Sequence, residues 1–92
     1  MATVIIPTPL RKFTNQLAKL QVDAGTVGEI IEKLTLEFPD LKKHVLEPEG
    51  NLRSFINIFS GDEDIRDLQA EKTPVQHSTI ISIVPAIAGG FI

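Results

Sequence analysis

Cysteine, tryptophan and tyrosine are absent from this 92-residue chain. Without a thiol there can be no disulfide, iron–sulfur cluster, cysteine-ligated zinc or thiol catalysis, so any sulfur chemistry must be supplied from outside the polypeptide. Positive charge is also sparse. Lys and Arg number 9 against 12 Asp and Glu, a net charge of −3. The basic residues are scattered as Arg11 and Lys12, Lys19, Lys33, Lys42 and Lys43, Arg53, Arg66 and Lys72, which offers a nucleic-acid backbone no dense cationic stripe. Long apolar runs are missing too. The stretch 83–92 is the longest without charged or hydrogen-bonding side chains, far short of the ~20 residues that span a bilayer. The N-terminal Met1 to Pro7 lacks the basic start and extended apolar core of a signal peptide, so a cytoplasmic protein is expected.

At this length the chain supports one core. A folded surface of about 5,300 Å² against about 14,600 Å² unfolded corresponds to a burial of roughly 64 %. With 42 % hydrophobic and 23 % charged residues, the composition is that of a folding domain rather than a disordered or membrane chain.

The hydrophobic period switches in a definite order along the chain. Thr3 to Ile6 is rich in β-branched residues and reads as a strand, stopped where Pro7-Thr8-Pro9 removes ladder donors. Ala18, Leu20 and Val22 alternate with Lys19 and Gln21 in a second strand, which makes the first pair a hairpin with a loose loop over about Pro7 to Asn15. A helix then opens at Thr26, with Glu29 three residues on, the pairing in which each side chain can satisfy the other's orphan backbone donor. Val27, Ile30, Ile31, Leu34 and Phe38 form its apolar face, Glu29, Glu32, Lys33 and Glu37 the opposite one, and Pro39 ends it.

A short helical turn over Leu41 to Leu46 leads into Glu47-Pro48-Glu49-Gly50, which is loop chemistry. Phe55 to Ser60 is a third strand, Ser60-Gly61-Asp62 a turn, and a short extended piece follows near Ile65. The segment Gln69 to Ser78 is polar and broken by Pro74. Thr79 to Ile87 is the most apolar stretch and suits a strand at the centre of a sheet. One helix after a hairpin has only the sheet to cover its apolar stripe, so the expected fold is α+β, a ubiquitin-like β-grasp with a mixed sheet wrapped around one main helix. An asparagine is costly to bury, which places Ile56 and Ile58 against the helix and Phe55 and Phe59 on the open face, as sheet packing or as part of a partner surface.

The informative segment is the C-terminus. A buried strand runs into Pro85-Ala86-Ile87-Ala88-Gly89-Gly90-Phe91-Ile92, with no following element to use the glycine pair as a cap. The expected organisation is one domain over 1–86 and a flexible tail over 87–92. If the sheet releases the chain near Val84, the path to Gly90 extends about 20 Å. Glycines without Cβ let a second protein's active site close on the backbone at Gly89 and Gly90.

This β-grasp ending in Gly-Gly resembles the ThiS/MoaD sulfur carriers within the ubiquitin-like proteins. The resemblance covers nearly the whole chain in element order and is most specific at residues 50–59, from Gly50-Asn51-Leu52-Arg53 to Asn57-Ile58-Phe59, at Asp62-Glu63-Asp64-Ile65-Arg66, and at Pro85 to Gly90. These segments are similar to the MoaD-type branch that includes the CysO-like carriers of cysteine synthesis. The resemblance implies that the Gly90 carboxylate is adenylated by a ubiquitin-activating-type enzyme using ATP and magnesium and is then converted to a thiocarboxylate. It implies that Pro85, Ala86, Ile87, Ala88 and Gly89 form the tail that docks in the partner's active site, and that the carrier itself binds no cofactor and catalyses nothing. The family's active form ends at the glycine pair, whereas here Phe91 and Ile92 follow, so the chain reads as a precursor cut between Gly90 and Phe91 by a JAMM-type zinc metalloprotease. A cysteine-synthase-like enzyme would accept the sulfur. Molybdopterin, thiamin and siderophore-type synthesis, transfer of activated Gly90 to lysines of other proteins, and a non-covalent adaptor are the open alternatives.

Weaker signals read as ordinary surface. His44 and His77 lack ligand spacing and are taken as surface or loop histidines, with no metal site expected. Asp62, Glu63, Asp64 and Asp67 form a solvated turn, since a calcium loop wants glycine where Asp67 stands. Gly25 and Gly28 lack the partners of a phosphate loop. Lys42 and Lys43, if the fold brings them beside Arg11 and Lys12, are read as a solvated face, with an acidic partner as the sharper alternative.

Overall fold

The computed structural model describes residues 1–54 and 56–85. In chain order it contains β1 (Ala2–Ile5), β2 (Lys19–Val22), α1 (Val27–Glu37), α2 (Pro39–Val45), β3 (Ile56–Ser60), β4 (Glu63–Asp64) and β5 (Ile80–Pro85). Short 3₁₀ turns cover Thr8–Phe13, Ile65–Asp67 and Ala70–Lys72. The strands form one sheet in the order β2-β1-β5-β3-β4. β1 and β5 are parallel and every other pair is antiparallel. The architecture is the expected β-grasp, with the last strand in the middle of a mixed sheet.

The core lies between one face of the sheet and the helices. Val4, Ile6, Ile56, Ile58, Ile81 and Ile83 supply the sheet side; Val27, Ile30, Ile31, Leu34, Phe38, Leu41 and Val45 supply the helical side, and all are buried. Each fully buried aliphatic side chain of this kind stabilises the fold by about 1.5–3 kcal/mol relative to exposure. Among the described residues, no helix is long and apolar enough to cross a membrane.

The helix start follows from its two polar side chains, with one difference from expectation. Thr26 caps α1 by accepting from the Glu29 N–H at 3.2 Å, but the Glu29 carboxylate accepts from Gly25 N–H at 2.7 Å rather than from the cap's own N–H. The neighbouring backbone is already engaged. Val27 N–H donates to Thr73 and Val75 N–H donates to Gly25, which pins the helix entry to the segment before β5. Gly28 is needed here for close approach, since a Cβ would sit 3.1 Å from the Glu71 carbonyl oxygen.

Several local expectations change. Pro39 does follow the end of α1, but it also opens α2, as its missing N–H and fixed φ suit a first helical position. The supposed loose loop is anchored instead by Leu10 and by fully buried Thr14, whose hydroxyl lies 3.2 Å and 3.1 Å from the Arg11 and Leu17 carbonyls. The short extended piece expected near Ile65 is β4 itself, and Ile65 opens the 3₁₀ turn that follows, where Asp64 accepts from Arg66 N–H at 2.9 Å. The polar segment before β5 buries Thr73 and Val75. Gly61, at a φ of +63°, makes the turn between β3 and β4.

Candidate functional site

β5 is the last described element before the segment expected to act as the tail. Ile81 and Ile83 face the core while Ile80 and Val84 face outward at 49 % and 41 % exposure. The central strand is therefore covered on one face only, which the apolar run alone did not distinguish. Pro85, half-buried, is the register partner of buried Ile56 on β3. Ala86, Ile87, Ala88, Gly89, Gly90, Phe91 and Ile92 lie outside the described residues.

The third-strand assignment holds where it can be read. Ile56 and Ile58 are buried at 6 % and 1 % exposure, so Asn57 and Phe59 turn to the open face. Phe59 is half-buried there, opposite Ser82 of β5 on one side and Asp64 of β4 on the other. Phe55 lies outside the described residues. Ser82 in turn faces Ile5, and Asn57 faces Val84. The open face thus has an apolar set, Ile5, Phe59, Ile80 and Val84, whose last member directly precedes Pro85.

Polar groups frame this face at β3 and β4. The Arg66 guanidinium pairs with the Asp64 carboxylate at 3.0 Å and donates to the Asn57 side-chain oxygen. The side-chain hydrogen bond from Arg66, helped by the Arg66 backbone N–H, holds the Asp64 carboxyl below its usual value, and the same pairing raises Arg66. Both groups are solvent-accessible, so the pair orders the turn more than it stabilises the fold. The acidic turn is thereby engaged with an arginine.

The histidines stand apart. His44 stacks on Phe13 with ring centroids 4.2 Å apart, and His77 Nδ1 lies 2.7 Å from the Met1 amino group. Among the described residues, no group of three His, Cys, Asp or Glu side chains could hold a metal ion.

One feature was not assembled from the sequence. Pro9, Leu10, Phe13, Ile56 and Pro85 line a cleft of about 500 Å³ together with Lys12, Lys43, His44 and Arg53. Of the four basic residues considered together, Lys12 and Lys43 line this cleft and Arg11 and Lys42 do not. Arg53 Nε donates to the Lys43 carbonyl at 2.7 Å, and Lys12 Nζ lies 5.3 Å from the Phe13 ring centre. No local periodicity signals this cleft, because its lining comes from four separate segments.

Residues 4–90 match the ThiS family. The chain is 32 % identical over 90 residues to the sulfur carrier protein CysO of Mycobacterium tuberculosis, covering 96 % of this chain and 97 % of that protein. Its structure is similar to the one described as a BexX/CysO complex from Amycolatopsis orientalis, with a TM-score of 0.87, 33 % identity, and coverage of 98 % of this chain and 100 % of the other. It is also similar to small archaeal modifier protein 1 of Methanosarcina acetivorans, with a TM-score of 0.86, 26 % identity, and coverage of 97 % and 95 %.

Proposed function

The chain belongs to the ThiS family, and from that premise we propose that it is a sulfur carrier whose Gly90, freed by removal of Phe91 and Ile92, is loaded as a thiocarboxylate. The observation that carries this reading is the extent of the family match. The match runs through the glycine pair to Gly90 and leaves Phe91 and Ile92 beyond it. Residues 86–90 extended span about 17 Å, enough to enter a channel in a second protein while the domain docks outside it.

The chemistry needs several partners. Hydrolysis of the Gly90–Phe91 peptide bond, by a JAMM-type metalloprotease, leaves a Gly90 carboxylate and releases the dipeptide Phe-Ile. A carboxylate is a poor electrophile, so an oxygen of Gly90 attacks the α-phosphorus of ATP in a ubiquitin-activating-type enzyme and pyrophosphate departs. A sulfide-level nucleophile then attacks the acyl carbon and AMP leaves. The product terminus is a soft, ionised nucleophile at neutral pH. The identity to CysO makes a cysteine-synthase-like enzyme the favoured acceptor. This chain supplies the arm and the docking body.

ATP–pyrophosphate exchange with the adenylating enzyme of the same cells tests this. A chain ending at Gly90 supports exchange and the full-length chain does not. Equal exchange with a chain truncated before Gly89 contradicts the reading.

A second reading is favoured by the likeness to the archaeal modifier protein: transfer of activated Gly90 to lysines of other proteins. Isopeptide-linked Gly90 remnants on other proteins would select it over sulfur donation.

A further inference from the structure

The cleft that Pro85 lines is cationic on a chain whose net charge is −3. Among the described residues, Lys12, Lys43, His44 and Arg53 line it and no carboxylate does. Glu37 and Asp40 instead line a neighbouring cavity with Phe13, and Glu47 another with Lys43 and Arg53. Among the described residues, no carboxylate lies within ion-pair distance of Lys12, Lys43 or Arg53, the ion pair being Asp64–Arg66. Like charges gathered without an ion-pair partner repel one another, and an incoming set of carboxylates relieves that repulsion. The floor is apolar: Leu10 and Ile56 are buried, while Phe13 and Pro85 are half-buried. Pro85 belongs both to this cleft and to the end of β5. Any protein that draws the C-terminal segment into its active site therefore lies within reach of the cleft.

We propose that this cleft docks an acidic lobe of the adenylating enzyme, with carboxylates opposite Lys12, Lys43 and Arg53 and an apolar side chain on Leu10, Phe13 and Ile56. The inference rests on the carrier reading and adds the surface by which the body is recognised. It is separate from the apolar set on the open face of the sheet, which is built from other residues. Lys12 and Lys43 are exposed, so reversing their charge leaves the core intact; Arg53 is half-buried and bonded to the Lys43 carbonyl, so it is the poorer choice for a test.

Association of the full chain with the adenylating enzyme of its own cells is measured without nucleotide, at 0.1 M and 1 M salt, where charges are felt over about 10 Å and about 3 Å. The Lys12→Glu/Lys43→Glu variant is expected to associate about tenfold or more slowly at 0.1 M salt and to match the unaltered chain at 1 M. The control Lys19→Glu/Lys72→Glu, with the same change in net charge away from the cleft, is expected to slow by less than about threefold. Circular dichroism checks that both variants fold. If the cleft variant associates within about twofold of the unaltered chain at 0.1 M salt, or the control slows as much, the docking proposal is overturned and the carrier reading stands. If the unaltered chain does not bind, and a chain ending at Gly90 supports no pyrophosphate exchange, both fall together.

Discussion

Ile56 on β3 is the register partner of Pro85 on β5, so Pro85 is paired with a core side chain that is only 6 % exposed. The position of Pro85 is thus set by the packing that holds the sheet on the helices.

That packing predicts a large effect next door. Ile58, 1 % exposed and paired with Ile83, loses its contacts to the helical layer on truncation. Ile58→Ala is expected to lower unfolding stability by about 2–5 kcal/mol in a urea titration, the range for a large-to-small change that leaves a cavity. A loss under about 1 kcal/mol would contradict the assigned inward face.

The cap of α1 gives a smaller and separable effect. Thr26→Ala removes the acceptor for the Glu29 N–H and is expected to cost about 1 kcal/mol. Thr26→Ser keeps the oxygen and is expected to lie close to the unaltered chain by the same titration.

Ala70 has a φ of +52°, a left-handed conformation that a Cβ disfavours. Ala70→Gly is expected to raise stability by up to about 1 kcal/mol, with relief of the Cβ penalty outweighing glycine's entropic cost. Ala70→Val is expected to lower it. Thermal midpoints of the two variants check the order.

The Asp64 carboxyl, held below its usual 3.8 chiefly by the Arg66 side chain, links stability to pH. The ionised form is favoured in the folded state, so the contribution is fully present above the unfolded value and is lost as pH falls through the lowered folded value. The gap in urea midpoint between the unaltered chain and Asp64→Asn is expected to be small, constant near neutrality, and to close on acidification below about pH 4. A gap that widens on acidification would contradict the pairing.

Much of the fold was legible because it rests on periods that survive in the sequence. Alternation at Leu20 and Val22 marked β2, the spacing of Val27, Ile30, Ile31 and Leu34 marked α1, and Asn57 oriented β3. What escaped has no period to read. The 3₁₀ turn over Thr8–Phe13 is tied down by single residues, Leu10 and Thr14, and Val75 is one apolar residue in a polar segment. The extended piece near Ile65 is only two residues long because the Asp64 carboxylate turns the chain, and that has no period either. The proposed site divides the same way. The glycine pair and the following Phe91 and Ile92 are visible in the residues themselves, while the cationic cleft exists only once the chain has folded.

The intact mass of this chain recovered from its own cells bears most directly on the central claim. The carrier account predicts a population ending at Gly90, part of it with one terminal oxygen replaced by sulfur. A population that retains Phe91 and Ile92 throughout would contradict it.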